Sequence, residues 1–299
     1  MSVLYKSCRL CPRNCGVNRL EGETGFCGEA AQLRIGAAVI HRGEEPPLVG
    51  SGGSGTIFIS GCNLGCTFCQ NYQVSQDGLG RAVSPLEFAG ICAALRDNGA
   101  ENINIVTGSH AVPGIIEGIN AARESGVSLP VLWNSSGYDS PQALELLGEY
   151  IDIYLPDLKT LDSKTAEKFF NAPDYPQTAE AAILKMLGTK SKVIIRHLIL
   201  PGYLESTRTV LHWFAQNAKS RALLSLMTQY TPIPGKGKPM PQGFLTEEDY
   251  QTVLTWLDDF KIEDGFCQEL VTGSEWLPDF KRTNPFSSEL SVPVFTSRT

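Results

Sequence analysis

Three cysteines, Cys62, Cys66 and Cys69, lie close together at C-x3-C-x2-C spacing. Closely spaced thiolates are soft ligands that suit iron–sulfur clusters or zinc. A structural zinc site normally takes a fourth protein ligand, and no fourth cysteine follows nearby. Three thiolates on a [4Fe-4S] cluster would instead leave one iron open to a small molecule. The spacing favours such a cluster, with a zinc loop or chance clustering as the alternative.

A second set of cysteines, Cys8, Cys11, Cys15 and Cys27, forms the pattern C-x2-C-x3-C-x11-C near the N-terminus. Four thiolates can close a metal site, and the glycines among them let the backbone turn tightly around it. The candidates are an auxiliary four-iron cluster and a structural zinc ion. Pro12 directly follows a cysteine, as in ferredoxin-like runs, which favours the cluster. We expect a second metal centre here, with iron–sulfur preferred over zinc.

The segments around the three-cysteine motif alternate between buried strands and amphipathic helices. Short apolar runs predict strands at residues 56–59, 103–106, 131–133, 151–155, 193–200 and 223–227, with helices between them. Strands separated by helices imply an α/β fold with a parallel sheet and right-handed crossovers. The three cysteines then lie on the loop after the first of these strands, where α/β barrels keep their chemistry. We divide the chain into a cysteine-rich metal-binding segment with a connector, residues 1–55, and a barrel with a C-terminal helix and tail, residues 56–299.

Composition excludes several classes of protein. The chain has 299 residues, 42% of them hydrophobic, which is enough for one large core. Its formal net charge of -7 argues against a general nucleic-acid binder. No run approaches the ~18 apolar residues of a membrane helix, and the N-terminus lacks a signal-peptide stretch, so we expect a cytoplasmic protein with no membrane partner. Nine cysteines in such a chain indicate metal or redox chemistry rather than disulfides.

The C-x3-C-x2-C motif, with Phe68 immediately before its third cysteine, resembles the signature of the radical SAM superfamily. The run from Cys8 to Gly28 resembles the start of an uncharacterised radical SAM group similar to pyruvate formate-lyase activating enzyme. This resemblance implies a partial (β/α)6 TIM-like barrel, open on one side to admit substrate. It also implies that S-adenosylmethionine chelates the open iron of a [4Fe-4S] cluster through its amino and carboxylate groups. One electron from the cluster would cleave the sulfonium and release a 5′-deoxyadenosyl radical.

The resemblance implies a radical SAM oxidoreductase that takes an electron from a donor such as flavodoxin or ferredoxin. One hypothesis is an activase, which abstracts hydrogen from a glycine of a partner protein. Another is radical modification of a different peptide or a small molecule, helped by a second cluster. A third hypothesis, from another class, is a non-catalytic iron–sulfur electron carrier.

Candidate cofactor contacts follow from the resemblance and from their places at strand ends. Phe68 is expected to flank the adenine. Ser109 and His110 follow the second strand, where characterised activating enzymes carry a Gly-Gly-Glu-type motif that this chain lacks. Either residue could substitute for that motif, and the alternative for His110 is a histidine that caps a helix or supports a ligand from behind. Asn134 and Ser136 follow the third strand and resemble the Thr-Asn-Gly segment that contacts ribose and methionine.

Residues of the fourth and fifth strands complete the expected cofactor site. Asp157 and Lys159 follow the fourth strand and resemble an Asp-x-Lys motif, in which the lysine is a point charge for the methionine carboxylate. Strand alternation sends Arg196 and His197 to opposite faces, so at most one points into the barrel. The resemblance favours His197 as a ribose-side residue. The polar loop 41–45 is expected to be a solvated surface, with a substrate-side role as the alternative.

Overall fold

The computed structural model describes residues 2–233, 239–274 and 277–297, and within them it forms a sheet of ten strands with helices on its outer face. The strands are β1 (Arg34–His41), β2 (Ser54–Ile59), β3 (Arg81–Ala82), β4 (Ile103–Val106), β5 (Val131–Ser135), β6 (Ile153–Pro156), β7 (Lys192–Leu198), β8 (Leu223–Met227), β9 (Gly265–Cys267) and β10 (Ser291–Thr296). The α-helices are α1 (Pro46–Val49), α2 (Tyr72–Ser75), α3 (Pro85–Asp97), α4 (Val112–Glu124), α5 (Pro141–Leu147), α6 (Ser163–Phe170), α7 (Tyr175–Leu187), α8 (Leu204–Asn217) and α9 (Glu247–Asp259). Short 3-10 helices cover Ser2–Tyr5, Arg19–Glu21 and Gly148–Tyr150.

The sheet is parallel over most of its width. Its order is β10-β1-β2-β4-β5-β6-β7-β8-β9, and β3 pairs with β1. The strands from β2 to β9 in this order pair in parallel, whereas β1 is antiparallel to β2, β3 and β10. Helices α3 to α9 connect the successive parallel strands, as right-handed crossovers require. The predicted α/β fold with a partial TIM-like barrel is therefore confirmed.

Successive residues of each strand point to opposite faces of the sheet and pack in two different clusters. Outward residues such as Ile105, Trp133 and Ile195 belong to the main core beneath the helices. Inward residues of the neighbouring strands, Leu132, Leu155 and Ile194, form a separate cluster with Leu48 of α1. Because His41 pairs with Ser54 at the start of β2, the segment that follows β1 lies at the N-terminal end of the barrel. Helix α1 therefore closes the barrel floor.

Local sequence signals fix several helix starts. Ser84 caps α3 in a capping box with Glu87, and Thr246 caps α9 in the same way with Asp249. In each box the cap side chain accepts a backbone hydrogen bond, while the acidic side chain accepts one from the cap residue's own N–H. The sequence Ser-Pro-Leu-Glu at residues 84–87 predicts this box before an apolar helix, and the structure confirms it.

The two ends of the sheet differ in how well the sequence predicts them. The connector contains β1, where a short strand is expected around residues 33–40, and this strand is an integral part of the sheet. The expected surface tail contains β10, and Phe280 and Phe286 from the segment before β10 pack against Phe58 of β2. None of the helices in the described part of the chain combines the length and apolar character needed to cross a membrane.

Candidate active site

A cavity of about 260 Å³ opens at the C-terminal end of the parallel strands. Parallel strands bring the residues after their last positions to one edge, which is where barrel enzymes bind substrates. The side chains that line the cavity include those of Cys62, Cys66, Phe68, Cys69, Asn134, Ser136, Asp157 and Lys159, all of them sequence-predicted. Thr107, Arg196 and Gln229 contribute from β4, β7 and the end of β8. The structure therefore brings most of the predicted site into one pocket.

The cysteine loop is held by backbone hydrogen bonds to helix α6. The N–H groups of Gly65 and Thr67 donate to the carbonyl oxygens of Phe170 and Phe169 at 3.2 and 2.8 Å. Burial raises the pKa of Cys66 to about 12, against the opposing influence of Lys159. Burial likewise raises the pKa of the Cys62 thiol. Thiolates at these positions therefore need a cation such as iron, which deprotonates a coordinating thiol outright.

Asp157 is the centre of a charged network beside the cysteines. Lys159 Nζ donates to Asp157 Oδ2 at 2.6 Å, and Arg196 Nε donates to Asp157 Oδ1 at 2.9 Å. Burial alone would raise the pKa of Asp157, but the two cations outweigh it and hold that pKa below its usual value. Asp157 is thus a fixed carboxylate that orients both cations toward the pocket.

Arg196, rather than His197, is the residue of β7 that points into the barrel. Arg196 Nη2 donates to Asn134 Oδ1 at 2.6 Å inside the pocket. His197 lies on the opposite face of the strand, where Nδ1 is 2.7 Å from Leu158 O and Nε2 is 2.9 Å from Thr207 Oγ1 of α8. Strand alternation is as predicted, but the choice of His197 as a cofactor contact is corrected.

Ser109 and His110 also lie outside the cofactor pocket. Ser109 Oγ donates to the buried carboxylate of Asp139 at 2.6 Å. His110 Nε2 is 2.8 Å from the carbonyl oxygen of Ser60, behind the cysteine loop. Thr107 is the residue after β4 that lines the pocket. The expectation that Ser109 or His110 replaces a Gly-Gly-Glu-type motif is therefore corrected.

Two acidic residues of the loop 41–45, which is expected to be a solvated surface, instead lie at the barrel floor, and Glu44 lines the pocket. The carboxylate of Glu44 accepts hydrogen bonds from the amides of Asn104 and Asn134. Glu45 is buried, accepts from Ser225 Oγ at 3.0 Å, and has a pKa raised to about 7 by burial and by Glu44. Asn104 and Ser225 lie within otherwise apolar strands. Polar residues at such positions indicate that a polar partner is buried beside them, and this was the sequence signal for Glu44 and Glu45.

One side of the pocket is covered by the segment before β10. Pro278, Phe286 and Leu290 line the cavity together with Phe58 of β2. Phe286 also packs edge-on against the ring of His41, with ring centroids 4.8 Å apart. The pocket wall on this side is therefore made by residues that come more than 200 positions after β2.

The N-terminal cysteines Cys8, Cys11, Cys15 and Cys27 line a second, smaller cavity together with His110. Within residues 2–233, 239–274 and 277–297, no three His, Cys, Asp or Glu side chains are grouped as ligands of a single metal ion, and this holds for both cysteine sets.

The wall of the second cavity contacts the cysteine loop of Cys62, Cys66 and Cys69 at two points. Arg13 Nε donates to the carbonyl oxygen of Asn63 at 2.8 Å, and Arg13 also lines the cavity. At Gly61, with φ of +78°, an added Cβ would lie 2.7 Å from Cys27 O. The residues on either side of Cys62 are therefore in direct contact with the N-terminal segment.

Two solved structures are similar to this chain. The chain is 15% identical to Streptococcus suis SuiB over 70% of its own length, with a TM-score of 0.51, and it spans about half of SuiB (47%). A domain of pyruvate-formate lyase-activating enzyme from Bacteroides vulgatus ATCC 8482 matches 53% of this chain and 91% of that domain, at 16% identity and a TM-score of 0.39.

A sequence relative and a family model give the stronger evidence. An uncharacterized protein of Methanocaldococcus jannaschii is 30% identical over 268 residues, covering 87% of this chain and 77% of the relative. The model of the Radical SAM superfamily matches residues 56–214, which is more than half of the chain and includes the three-cysteine loop and every parallel strand from β2 to β7. The chain belongs to the radical SAM superfamily.

Proposed function

We propose that Cys62, Cys66 and Cys69 hold a [4Fe-4S] cluster and that S-adenosylmethionine binds beside it in the same pocket. The observation that carries the proposal is the meeting of three cysteines with an ion-paired lysine at the C-terminal ends of parallel strands. The donor set fits, because three thiolates leave one iron for a chelating ligand. When bound, the cluster and S-adenosylmethionine supply a 5′-deoxyadenosyl radical by reductive cleavage of the sulfonium.

The residues of this chain bind and orient the cofactor. Lys159 offers an ammonium group to the methionine carboxylate, and Asp157 fixes its direction at 2.6 Å. Asn134 and Ser136, at the end of β5, line the same pocket, and in this proposal they contact the ribose. Phe68 packs edge-on against Tyr230, with ring centroids 5.2 Å apart, and offers an apolar wall to the adenine.

We infer that the radical abstracts hydrogen from a peptide or protein, with a small molecule as the alternative. SuiB, whose fold this chain shares, has been solved bound to its precursor peptide SuiA, which supports a peptide substrate. A glycine in a partner protein, the substrate of an activase, belongs to the same chemical class. The electron donor in this proposal is a small redox protein such as flavodoxin or ferredoxin.

We also propose a second metal centre in the N-terminal segment, an iron–sulfur cluster rather than zinc. Its support is the common cavity lined by Cys8, Cys11, Cys15 and Cys27. Arg19 Nη1 lies 3.8 Å from Cys8 Sγ in this cavity, and a guanidinium suits an anionic thiolate-ligated centre.

The test is anaerobic reconstitution followed by incubation with S-adenosylmethionine and a reductant. Wild type is expected to form 5′-deoxyadenosine, and the variant with Cys62, Cys66 and Cys69 all changed to Ala is expected to form none. Cys267→Ala is the matched control, because that exposed thiol lies outside both cavities. Cofactor cleavage that persists in the triple variant would contradict the assignment. A reconstituted wild type that binds no S-adenosylmethionine would indicate an electron carrier.

A further inference from the structure

His110 occupies a position that the cofactor pocket does not explain. It follows β4, is 2% exposed, and lines the second cavity with the four N-terminal cysteines. Its backbone carbonyl accepts a hydrogen bond from Arg19 Nη1 at 2.6 Å, and Arg19 lies 3.8 Å from Cys8 Sγ. The histidine is therefore fixed to the same segment that carries the cysteines.

The hydrogen bonds of the His110 ring determine which ring nitrogen has a lone pair available to bind a ligand. Nε2 lies 2.8 Å from the carbonyl oxygen of Ser60, and because a carbonyl only accepts, Nε2 carries the proton and donates. In the neutral ring Nδ1 then carries a lone pair. Nδ1 is buried and has no hydrogen-bond partner among the residues that the structure describes. A buried polar atom without a partner is costly, which points to an occupant of the cavity.

The chemistry of the cavity identifies that occupant as a cation. His110 and the four cysteines line one cavity, and a metal cation in it would satisfy the unpartnered Nδ1 together with the thiolates. A histidine that ligates a metal usually donates its other ring N–H to a backbone carbonyl or carboxylate, which fixes the tautomer and the ring orientation. The bond from His110 to Ser60 has this arrangement.

We propose that His110 Nδ1 is a ligand of the N-terminal centre, together with Cys8, Cys11 and Cys27; this rests on the second cluster proposed above. Cys15 is the exposed member of the four cysteines, whereas Cys8 is buried and the other two are partly buried. Three thiolates and one imidazole then complete four positions, and Cys15 is not required.

The ligand set has a consequence for the centre's electron affinity. A neutral imidazole in place of a thiolate lowers the negative charge on the cluster and raises its reduction potential, as in histidine-ligated two-iron centres. The imidazole also connects the centre to the cysteine loop, because it is hydrogen-bonded to Ser60, which precedes Cys62 by two residues. His110 thereby gives the two centres a short bonded route between them.

The test isolates the N-terminal centre in the full-length chain. The variant with Cys62, Cys66 and Cys69 changed to Ala is produced with ¹⁵N-histidine, reconstituted with iron and sulfide, and reduced without S-adenosylmethionine. Pulsed electron paramagnetic resonance is expected to show hyperfine coupling to a directly bound ¹⁵N nucleus. His110→Gln in this background is expected to lose the coupling. His197→Gln is the matched control and retains it, because both ring nitrogens of His197 are already hydrogen-bonded.

Iron content provides an independent measurement. Cys15→Ser is expected to retain about the iron content of its parent, and Cys11→Ser is expected to lose most of it. A cluster without histidine coupling in the labelled parent, or loss of iron in Cys15→Ser, would overturn the ligand set even if His110→Gln fails to fold. Zinc in place of iron, or no metal, would overturn the second cluster and the ligand set together. Cofactor cleavage by the Cys62 cluster is measured separately.

Discussion

Lys159→Met tests the cofactor site most directly, because methionine keeps an unbranched stem while removing the charge. Lys159 Nζ donates to Asp157 Oδ2 at 2.6 Å, and its side chain is 21% exposed. Asp157 keeps its second cation, since Arg196 Nε donates to it at 2.9 Å. Breaking a buried ion pair completely costs about 3–5 kcal/mol. With Arg196 still in place, we expect the free energy of unfolding to fall by about 1–3 kcal/mol.

The loss in cofactor binding free energy is expected to be about as large as that loss in stability. A hydrogen bond between an ammonium and a carboxylate contributes about 1.5–3 kcal/mol. Because about 1.4 kcal/mol corresponds to a tenfold change in affinity, the Kd for S-adenosylmethionine should rise by roughly 10- to 150-fold. Anaerobic isothermal titration calorimetry of the reconstituted protein measures this change, and thermal unfolding measures the stability.

Lys185→Met is the matched control for this variant. Lys185 Nζ also lies 2.6 Å from a carboxylate, that of Glu145, but the pair is on the outer surface between α5 and α7. Surface ion pairs contribute about 0–1 kcal/mol, so neither stability nor cofactor affinity should change appreciably. A Kd for Lys159→Met within about threefold of wild type, with native melting behaviour, would show that the lysine does not contact the cofactor.

Three other substitutions test the barrel floor and the contact between the two cysteine segments. The folded protein holds the Glu45 proton to about pH 7, whereas the unfolded chain releases it near 4.5, so stability falls as pH rises through that window. Glu45→Gln should therefore stabilise the protein more at pH 8 than at pH 5, by at most about 3 kcal/mol in urea unfolding, and an equal effect at both pH values would contradict this. Leu48→Ala should lower the free energy of unfolding by about 2–5 kcal/mol, because it opens a cavity in the barrel floor. Leu86→Ala, at a 76% exposed position, should change that free energy by less than about 0.5 kcal/mol. Similar losses in both variants would contradict the packing of Leu48 in the barrel floor. Gly61→Ala should lower the temperature of thermal unfolding more than Gly78→Ala does. Both glycines have positive φ, but only at Gly61 would the added Cβ contact Glu29 and Cys27. Equal effects would show that backbone strain at positive φ alone causes the loss.

Sequence periodicity predicted the scaffold well because most of its signals are local. The apolar runs that became β2 and β4 to β8 each carry enough β-branched and aliphatic residues to specify a buried strand. The capping box at Ser84 needs only the residues of its own turn. The cysteine loop was recognised from spacing alone, since its three sulfurs must converge whatever surrounds them.

Residues whose role depends on distant partners were placed less well. Alternation separated Arg196 from His197, but which face pointed inward was decided by Asp157 and Asn134 on the neighbouring strands. Glu44 and Glu45 look like surface residues because charged side chains in a loop usually are. Their burial requires Arg196, Asn104 and Ser225 on three separate strands, and no local pattern identifies that combination. β10 was missed because its partner is β1, far earlier in the chain.

Because β10 pairs with β1, one edge of the sheet is completed late in synthesis. Ser291 follows its partner His41 by 250 positions. At roughly 5–20 residues per second, a ribosome takes on the order of tens of seconds to cover that interval. During this time the edge of β1 that β10 later covers is unpaired, and the pocket lacks the wall that contains Phe286. The nascent chain therefore presents its cysteine loop through a wider opening than the finished protein does.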